Sequence, residues 1–383
     1  MNNDLCKRFG IDFPLFAFSH CRDVVVEVSK AGGMGVLGVV RFSPEELETE
    51  LKWIDDHIDG KPYGVDLIVP NKMDGRDEDP AADEILSRIP EEHKAFTDEL
   101  MRKFNVDPSD VGDDARRETM YLSENARVAG AERAMDVAFS HPIAMIANAL
   151  GVPPQSMLDK AKEHGVPVAA LVGTKEHAVA QVNAGVDLII AAGTEAGGHC
   201  GEIGTMVLVP DVVEAVEKIS DVPVLAAGGI VQGRQMAAAM SMGASGAWCG
   251  SVWLTTTEAE NSPAIKEKLL AAGTRDTVRS RARTGKYSRQ LRSAWTDAWE
   301  SADAPEKLPL PLQNVLVTAP LRKVEKLATG GHEGAKELNT YFVGQGVGMM
   351  NEVQSARQTV QAFRDDFLAA YERLHNALEG DDA

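Results

Sequence analysis

The sequence predicts a (β/α)8 barrel. Three observations carry that expectation: short apolar runs of strand length recur along the chain, helix-like segments separate most of them, and glycine-rich stretches follow several directly. The eight runs are Phe13–Phe18, Met34–Val39, Tyr63–Val69, Met135–Phe139, Val166–Val172, Val186–Ala191, Val222–Ala227 and Ser245–Cys249. A chain of 383 residues has room for two average domains or for one barrel with insertions. The repeated alternation favours the barrel over an open sheet.

Each element has a local reason. Ser43-Pro44-Glu45-Glu46 supplies an N-cap, a proline and acids for a helix running to Asp56. Thr174 to Asn183 follows the same logic and stops before Gly185, and Arg234–Met242 is a further helix candidate. The run Val186-Asp-Leu-Ile-Ile-Ala-Ala192 is apolar almost throughout, as a strand buried on both faces requires. Two regions break the rhythm. Asn71 to Gly130 is acidic and punctuated by proline, so it reads as a partly helical insertion after strand three, placed to act as a lid. Thr255 to Leu374 is too long for one helix. Thr255–Glu260 reads as a helix start, Pro305–Pro320 as a proline-broken crossing and Asn351–Leu378 as a long amphipathic helix. The expected organisation is therefore a barrel over residues 1–254, with an insertion at about 71–130, and a small helical C-terminal subdomain over 255–383.

Charge narrows the partners. With 39 basic and 58 acidic residues the net charge is −19, which repels nucleic acid. The one basic stretch, Arg275 to Arg292, reads either as an attractor of a phosphorylated group or as a solvated helix face paired with the acidic surface. Cys6, Cys21, Cys200 and Cys249 show neither disulfide nor zinc spacing, so no metal is expected. No apolar stretch approaches a membrane span, and the reading is a soluble, cytoplasmic protein whose partner is a small molecule, with a homo-oligomer left open.

The chemistry concentrates where strands end. Gly193-Thr-Glu-Ala-Gly-Gly-His-Cys-Gly201 sets one imidazole among four glycines, at the end of a strand where parallel α/β proteins build sites. The last two strand candidates end in Gly228-Gly229 and Gly250-Ser251, and loops in these positions of a barrel commonly hold phosphate on bare backbone N–H groups. Histidine moves protons near neutral pH. A phosphate-bearing electron sink beside it points to proton abstraction from a carbon acid. Pyridoxal phosphate would need a strand-end lysine, and Lys175 sits in a helix opening, so the glycines favour a flavin.

Gly193-Thr-Glu-Ala-Gly-Gly-His199, Ala227-Gly-Gly-Ile230, Gly243-Ala-Ser-Gly-Ala-Trp-Cys-Gly-Ser251, Tyr63-Gly-Val-Asp-Leu-Ile-Val-Pro70 and Ala31-Gly-Gly-Met-Gly35 together resemble the nitronate monooxygenase family, formerly called 2-nitropropane dioxygenases. Thr284-Gly-Lys-Tyr-Ser-Arg289 and Gly344-Gln-Gly-Val-Gly348 are similar to motifs of its tail. The resemblance implies a TIM barrel with noncovalent FMN that oxidises alkyl nitronates with O2. It places the base on His199, the phosphate cradle on Gly228, Gly229, Gly250 and Ser251, and the flavin wall on Gly197 and Gly198. Backbone at Ala17, Phe18 and Ser19 would lie against the ring system.

The chain departs from the family at Asp66, commonly Asn, at Ala192, commonly Gln, and in its first strand, which lacks Ala-Pro-Met and runs on into His20, Cys21 and Arg22. Asp66 and Ala192 are flavin-side positions, and an acid there either disfavours an anionic reduced flavin or is itself protonated. Cys200 beside His199 raises a thiolate reading, and Glu195 reads as an anchor for the glycine loop. Two further readings stand beside the monooxygenase. One is an NAD(P)H-dependent flavin reductase acting on an enoyl or acyl thioester, and the other is a flavin- or acyl-binding protein without turnover.

Overall fold

The computed structural model describes residues 1, 3–69, 82–109, 111–112, 119 and 128–379. Its strands, in chain order, are β1 (Leu15–Ser19), β2 (Met34–Gly38), β3 (Tyr63–Leu67), β4 (Met145–Asn148), β5 (Val168–Val172), β6 (Leu188–Ala192), β7 (Gly198–His199), β8 (Val224–Ala227), β9 (Gly246–Cys249), β10 (Thr277–Ser280) and β11 (Ser288–Leu291). Eight of them close a parallel barrel in the order β1-β2-β3-β4-β5-β6-β8-β9, sealed where Ala17 pairs with Cys249. The (β/α)8 expectation holds.

Alternation along each strand sorts the core into two layers. Leu15, Leu37, Val65, Ile146, Ile189 and Ala226 face the surrounding helices. Phe16, Val36, Met145, Leu188, Leu225 and Trp248 fill the interior. The barrel is thus a packed body, and only its mouth is free for chemistry. Leu5, Cys6 and Phe9 of the first helix, Asp4–Phe9, join the interior layer, with Phe9 edge-on to Phe16 at 5.6 Å.

Helix starts were readable. Ser43 and Glu46 form the reciprocal capping box of helix Pro44–His57, and Thr174 accepts from the His177 N–H at the head of Lys175–Ala184. Such caps contribute about 1 kcal/mol each. The fourth strand lies beyond the run from which it is expected. Met135–Phe139 belongs to helix Val128–Phe139, where Ala131, Ala134, Met135, Ala138 and Phe139 are buried at helical spacing. The true strand, Met145–Asn148, follows the break at His141-Pro142. A short, mostly apolar run fits one side of a helix as well as it fits a strand, and here the charged Asp136 points out to solvent.

The tail differs from a purely helical subdomain. Ser251–Thr255 is a 3-10 turn, and the helix placed at Thr255 begins instead at Pro263, capped by Ser262. β10 and β11 form a hairpin that pairs with β7. Helix Leu312–Thr329 carries Pro320 internally rather than breaking there. The described parts of the insertion, helices Ala82–Ser87 and Glu91–Lys103, pack with the tail: Ile85, Leu100 and Met101 share a core with Trp295, Trp299 and Val324. The lid expectation for residues 71–81 and most of 110–127 lies outside the described residues.

The final helix, Ala356–Glu379, packs on helix Gly233–Ser241, and Arg234 pairs with Asp366 across the seam. Gly233 makes this contact possible, since a Cβ there would lie 1.9 Å from the Phe363 carbonyl oxygen. Among the described residues no helix is long and apolar enough to cross a membrane. Gly233→Ala should destabilise the protein by about 1–3 kcal/mol, because the clash outweighs the gain in helix propensity. Thermal unfolding checks this, and an unchanged Tm would show that the two helices separate freely.

Candidate active site

Parallel strands leave their C-terminal ends facing one mouth, and the loops after β6, β8 and β9 meet there. The loop after β6 is fixed from below and above. Glu195 accepts from the Thr205 N–H at 2.9 Å and from its hydroxyl at 2.8 Å, which ties the loop to the start of helix Thr205–Glu217. Arg289 donates from Nε to the Thr194 carbonyl at 2.8 Å. The anchoring role expected of Glu195 is what the geometry shows.

Gly228 and Gly229 turn with φ of 108° and 69°, a region that side chains rarely adopt. A Cβ on Gly228 would also meet the Thr205 hydroxyl at 2.7 Å. The loop Gly344–Gly348 bridges the neighbouring turns. The Gly344 N–H donates to Ser251 Oγ at 2.8 Å, the Gln345 N–H donates to the Glu195 carbonyl at 2.9 Å, and Gly346 packs over the Gly229 carbonyl. Gly197 lies against Gly344 in the same cluster, with Gly198 next to it in β7. Among the described residues the N–H groups of Gly228, Gly229, Gly250 and Ser251 have no acceptor. Four unmatched donors on bare backbone fit a phosphate group, whose oxygens accept what these loops offer. Ser251 adds a hydroxyl whose proton is still available.

The remaining predicted residues line the mouth unequally. Phe18 presents its ring inward, 6.2 Å from Trp248 and near Gly250, giving an apolar floor. Ala17 turns its side chain to the outer core, and Ser19 Oγ accepts from the Cys21 N–H at 3.1 Å, so of this strand end only Phe18 offers a side chain. Ala192 borders a cleft of about 670 Å³ together with Leu171, Gly173, His199, Cys200 and Tyr287. That volume is typical of small-molecule sites. Asp66 points inward from β3 between Gly38 and Ala147 of the neighbouring strands and is 5% exposed. Burial without a compensating partner pushes its carboxyl well above the usual range, which favours the protonated form.

His199 is set by the hairpin. β7 pairs antiparallel with β11, His199 opposite Ser288, and the hairpin turn brings Thr284 Oγ1 to 2.8 Å from His199 Nε2. Thr284 also donates to the Lys286 carbonyl at 3.1 Å and accepts from the Lys286 N–H at 3.3 Å. With its one proton committed there, the hydroxyl accepts from Nε2–H, which leaves Nδ1 as the imidazole lone pair. His199 is exposed to solvent in the cleft, although many protein atoms lie around its ring. That desolvation, helped by the Lys286 charge, lowers its pKa to about 4.

A neutral His199 removes the ground for a Cys200 thiolate. Burial raises the Cys200 thiol in spite of Arg289 and Arg279 nearby, so it stays protonated. The basic stretch is a hairpin, not a solvated helix: Arg279 stacks on Tyr287 and Arg281 reaches the Gly285 carbonyl and Glu306. Sequence reasoning left Thr205, Thr284 and Gly344 out of the site. The tail motifs containing Thr284 and Gly344 were visible, but nothing in the sequence told which strand end they would reach.

A family model described as nitronate monooxygenase matches residues 9–366. A chain from Mycobacterium tuberculosis named as a monooxygenase is 48% identical over 380 residues, covering 99% of this chain and 100% of that one. A Staphylococcus saprophyticus chain named as a nitronate monooxygenase is 31% identical over 322 residues, covering 80% and 81%. Among solved structures, a nitroalkane oxidase from Streptomyces ansochromogenes is similar in fold with a TM-score of 0.77 at 23% identity, covering 97% of this chain and 100% of that one.

The buried acid yields a stability test. The folded chain keeps the Asp66 proton that the unfolded chain releases near pH 4, so stability is lost as pH rises from there toward the elevated folded pKa. Histidines held neutral act in the opposite sense: His199 and His20, lowered to about 4 and about 3, cost stability as pH falls below 6.5. Asp66→Asn should therefore raise Tm at pH 7.5 and leave it nearly unchanged at pH 4. Equal shifts at both pH values would contradict a neutral buried carboxyl.

Proposed function

The chain belongs to the nitronate monooxygenase family of oxidoreductases, and on that basis we propose that it holds FMN across the barrel mouth and oxidises alkyl nitronates, or related carbon acids, with O2. The observation that carries this reading is the convergence of four acceptor-less backbone N–H groups, at Gly228, Gly229, Gly250 and Ser251, beside a cleft that His199 enters.

FMN, when bound, supplies the two-electron sink and the reaction with O2. The rest is the work of the chain. The cradle N–H groups and the Ser251 hydroxyl hold the phosphate, and Gly197 and Gly198 offer backbone without side chains. Phe18, Trp248 and Ala192 keep water from the floor of the mouth, which strengthens every polar contact above it. Asp66, its carboxyl raised by burial, stands where the usual family residue would offer an amide. His199 takes the substrate proton on Nδ1, while Thr284 holds Nε2–H and keeps the ring from turning.

The depressed pKa bears on substrate form. A base lowered to about 4 is always unprotonated at pH 7 but pulls weakly on a carbon acid. Nitronate anions, which arrive already deprotonated, are therefore better substrates than the neutral nitroalkanes.

His199→Ala should keep the visible flavin spectrum and lose about 10²–10⁴-fold in kcat/KM toward neutral nitroalkanes, with a loss under about tenfold toward nitronates. Unchanged rates on the neutral substrates would remove His199 from the chemistry. The rival reductase reading is decided anaerobically. Rapid bleaching of the flavin by NADH or NADPH, with none by a nitronate, would sink the monooxygenase assignment.

A further inference from the structure

The cleft beside His199 runs further than a small nitronate requires. Its walls come from the ends of β6, β5 and β4, neighbours in that order around the barrel, and from the tip of the β10–β11 hairpin. Ala192 borders it at the end of β6, Leu171 at the end of β5, Leu150 and Val152 in the loop after β4, Ala180 on helix Lys175–Ala184 and Tyr287 on the hairpin. Of the residues assigned to FMN only Ala192 is among these walls, so the cleft leads away from the phosphate cradle.

The wall is aliphatic. Leu150, Val152 and Leu171 are half-buried and Tyr287 is 49% exposed, so the cleft presents an apolar surface to whatever enters it. Polar groups along it are spent on the protein. Gln181 is 2% exposed, with Oε1 buried and Nε2 donating to the Gly151 carbonyl at 2.9 Å. Arg281 donates to the Gly285 carbonyl at 2.8 Å and pairs with Glu306 at 2.7 Å. Lys286 and His177 are exposed, and a lysine stem itself adds apolar wall. The far loop is also built in advance. Asn148, wholly buried, donates from Nδ2 to the Leu150 carbonyl at 3.3 Å and the Gly151 carbonyl at 3.1 Å, and its Oδ1 accepts from the Val69 N–H at 3.0 Å. A preformed apolar cleft binds a matching ligand without the cost of ordering its own walls.

Size decides what that ligand is. A volume of about 670 Å³ has room for on the order of twenty water-sized groups, whereas a three-carbon nitronate has about six non-hydrogen atoms. We propose that the cleft is a tail site for an unbranched aliphatic chain, so that the substrate is a carbon acid carrying an alkyl tail of roughly six carbons or more. The reacting carbon sits at His199, and the chain runs past Leu171 toward Leu150, Val152 and Ala180. The assignment rests on the reading of His199 as the reaction centre.

The test uses FMN-loaded protein at pH 8 and the 1-nitronates of three, six and nine carbons. Burying one methylene is worth a factor of about three to four, so kcat/KM should climb about 30-fold from three to six carbons and about as much again to nine. The gain should lie in KM, with kcat constant to within about threefold. A flat series overturns the proposal. Ala180→Trp fills the cleft from an exposed helix position, and should bring the nine-carbon value down to about that of six carbons while leaving the three-carbon rate and the flavin spectrum unchanged. Leu150→Asn, close in size but polar, should lower the nine-carbon value about tenfold. A chain-length preference that neither variant alters puts the tail elsewhere and overturns the site. If no nitronate of any length is turned over, it is the function reading that has failed, and calorimetry with 1-octanol and 1-propanol then decides the cleft. Octanol bound at least about 30-fold more tightly, with that difference cut about tenfold in Ala180→Trp, supports the tail site. Equal affinities, absent binding or a difference that survives both variants overturns it.

Discussion

The two-residue pairing of Gly198–His199 with Ser288–Arg289 is the constraint on which the site depends. A glycine-rich loop has little to hold it in one shape, because it lacks side chains that could pack. Here the shape is imposed from outside. The hairpin supplies a backbone ladder to the loop, Arg289 grips the Thr194 carbonyl, and Thr284 fixes the imidazole. Glu195 pins the other side to Thr205. The barrel provides the platform, but residues about 90 positions later in the chain decide where His199 stands.

That arrangement explains what the sequence could and could not reveal. The barrel was legible because buried parallel strands need unbroken apolar runs, and seven of the eight runs fell on barrel strands. Met135–Phe139 misled because alanine and methionine satisfy a helix face equally well. The glycine motifs and His199 were legible for a chemical reason: backbone that must approach a ligand excludes side chains. Thr284 and Gly344 were not, since each acts through a contact far away in sequence, and a spacing cannot encode such a contact. The described helices of the insertion packing with the tail are of the same kind.

The mouth of the barrel is electrically unusual for so acidic a chain. Burial pushes the Asp66 carboxyl up and holds the imidazoles of His20 and His199 down, so the groups at the strand ends lean to their neutral forms. Each follows from desolvation acting on a different group: it favours the neutral form of an acid and of the imidazoles alike.

The shared core of Ile85, Leu100 and Met101 with Trp295, Trp299 and Val324 has a consequence for synthesis. The first set leaves the ribosome roughly 200 residues ahead of the second, an interval of about 10–40 s at ordinary elongation rates. For that time two amphipathic helices have no partner to cover them. The strongly charged outer face of the second, with Glu91, Glu92, Lys94, Asp98, Arg102 and Lys103, keeps the waiting segment in solution until the tail arrives to close over it.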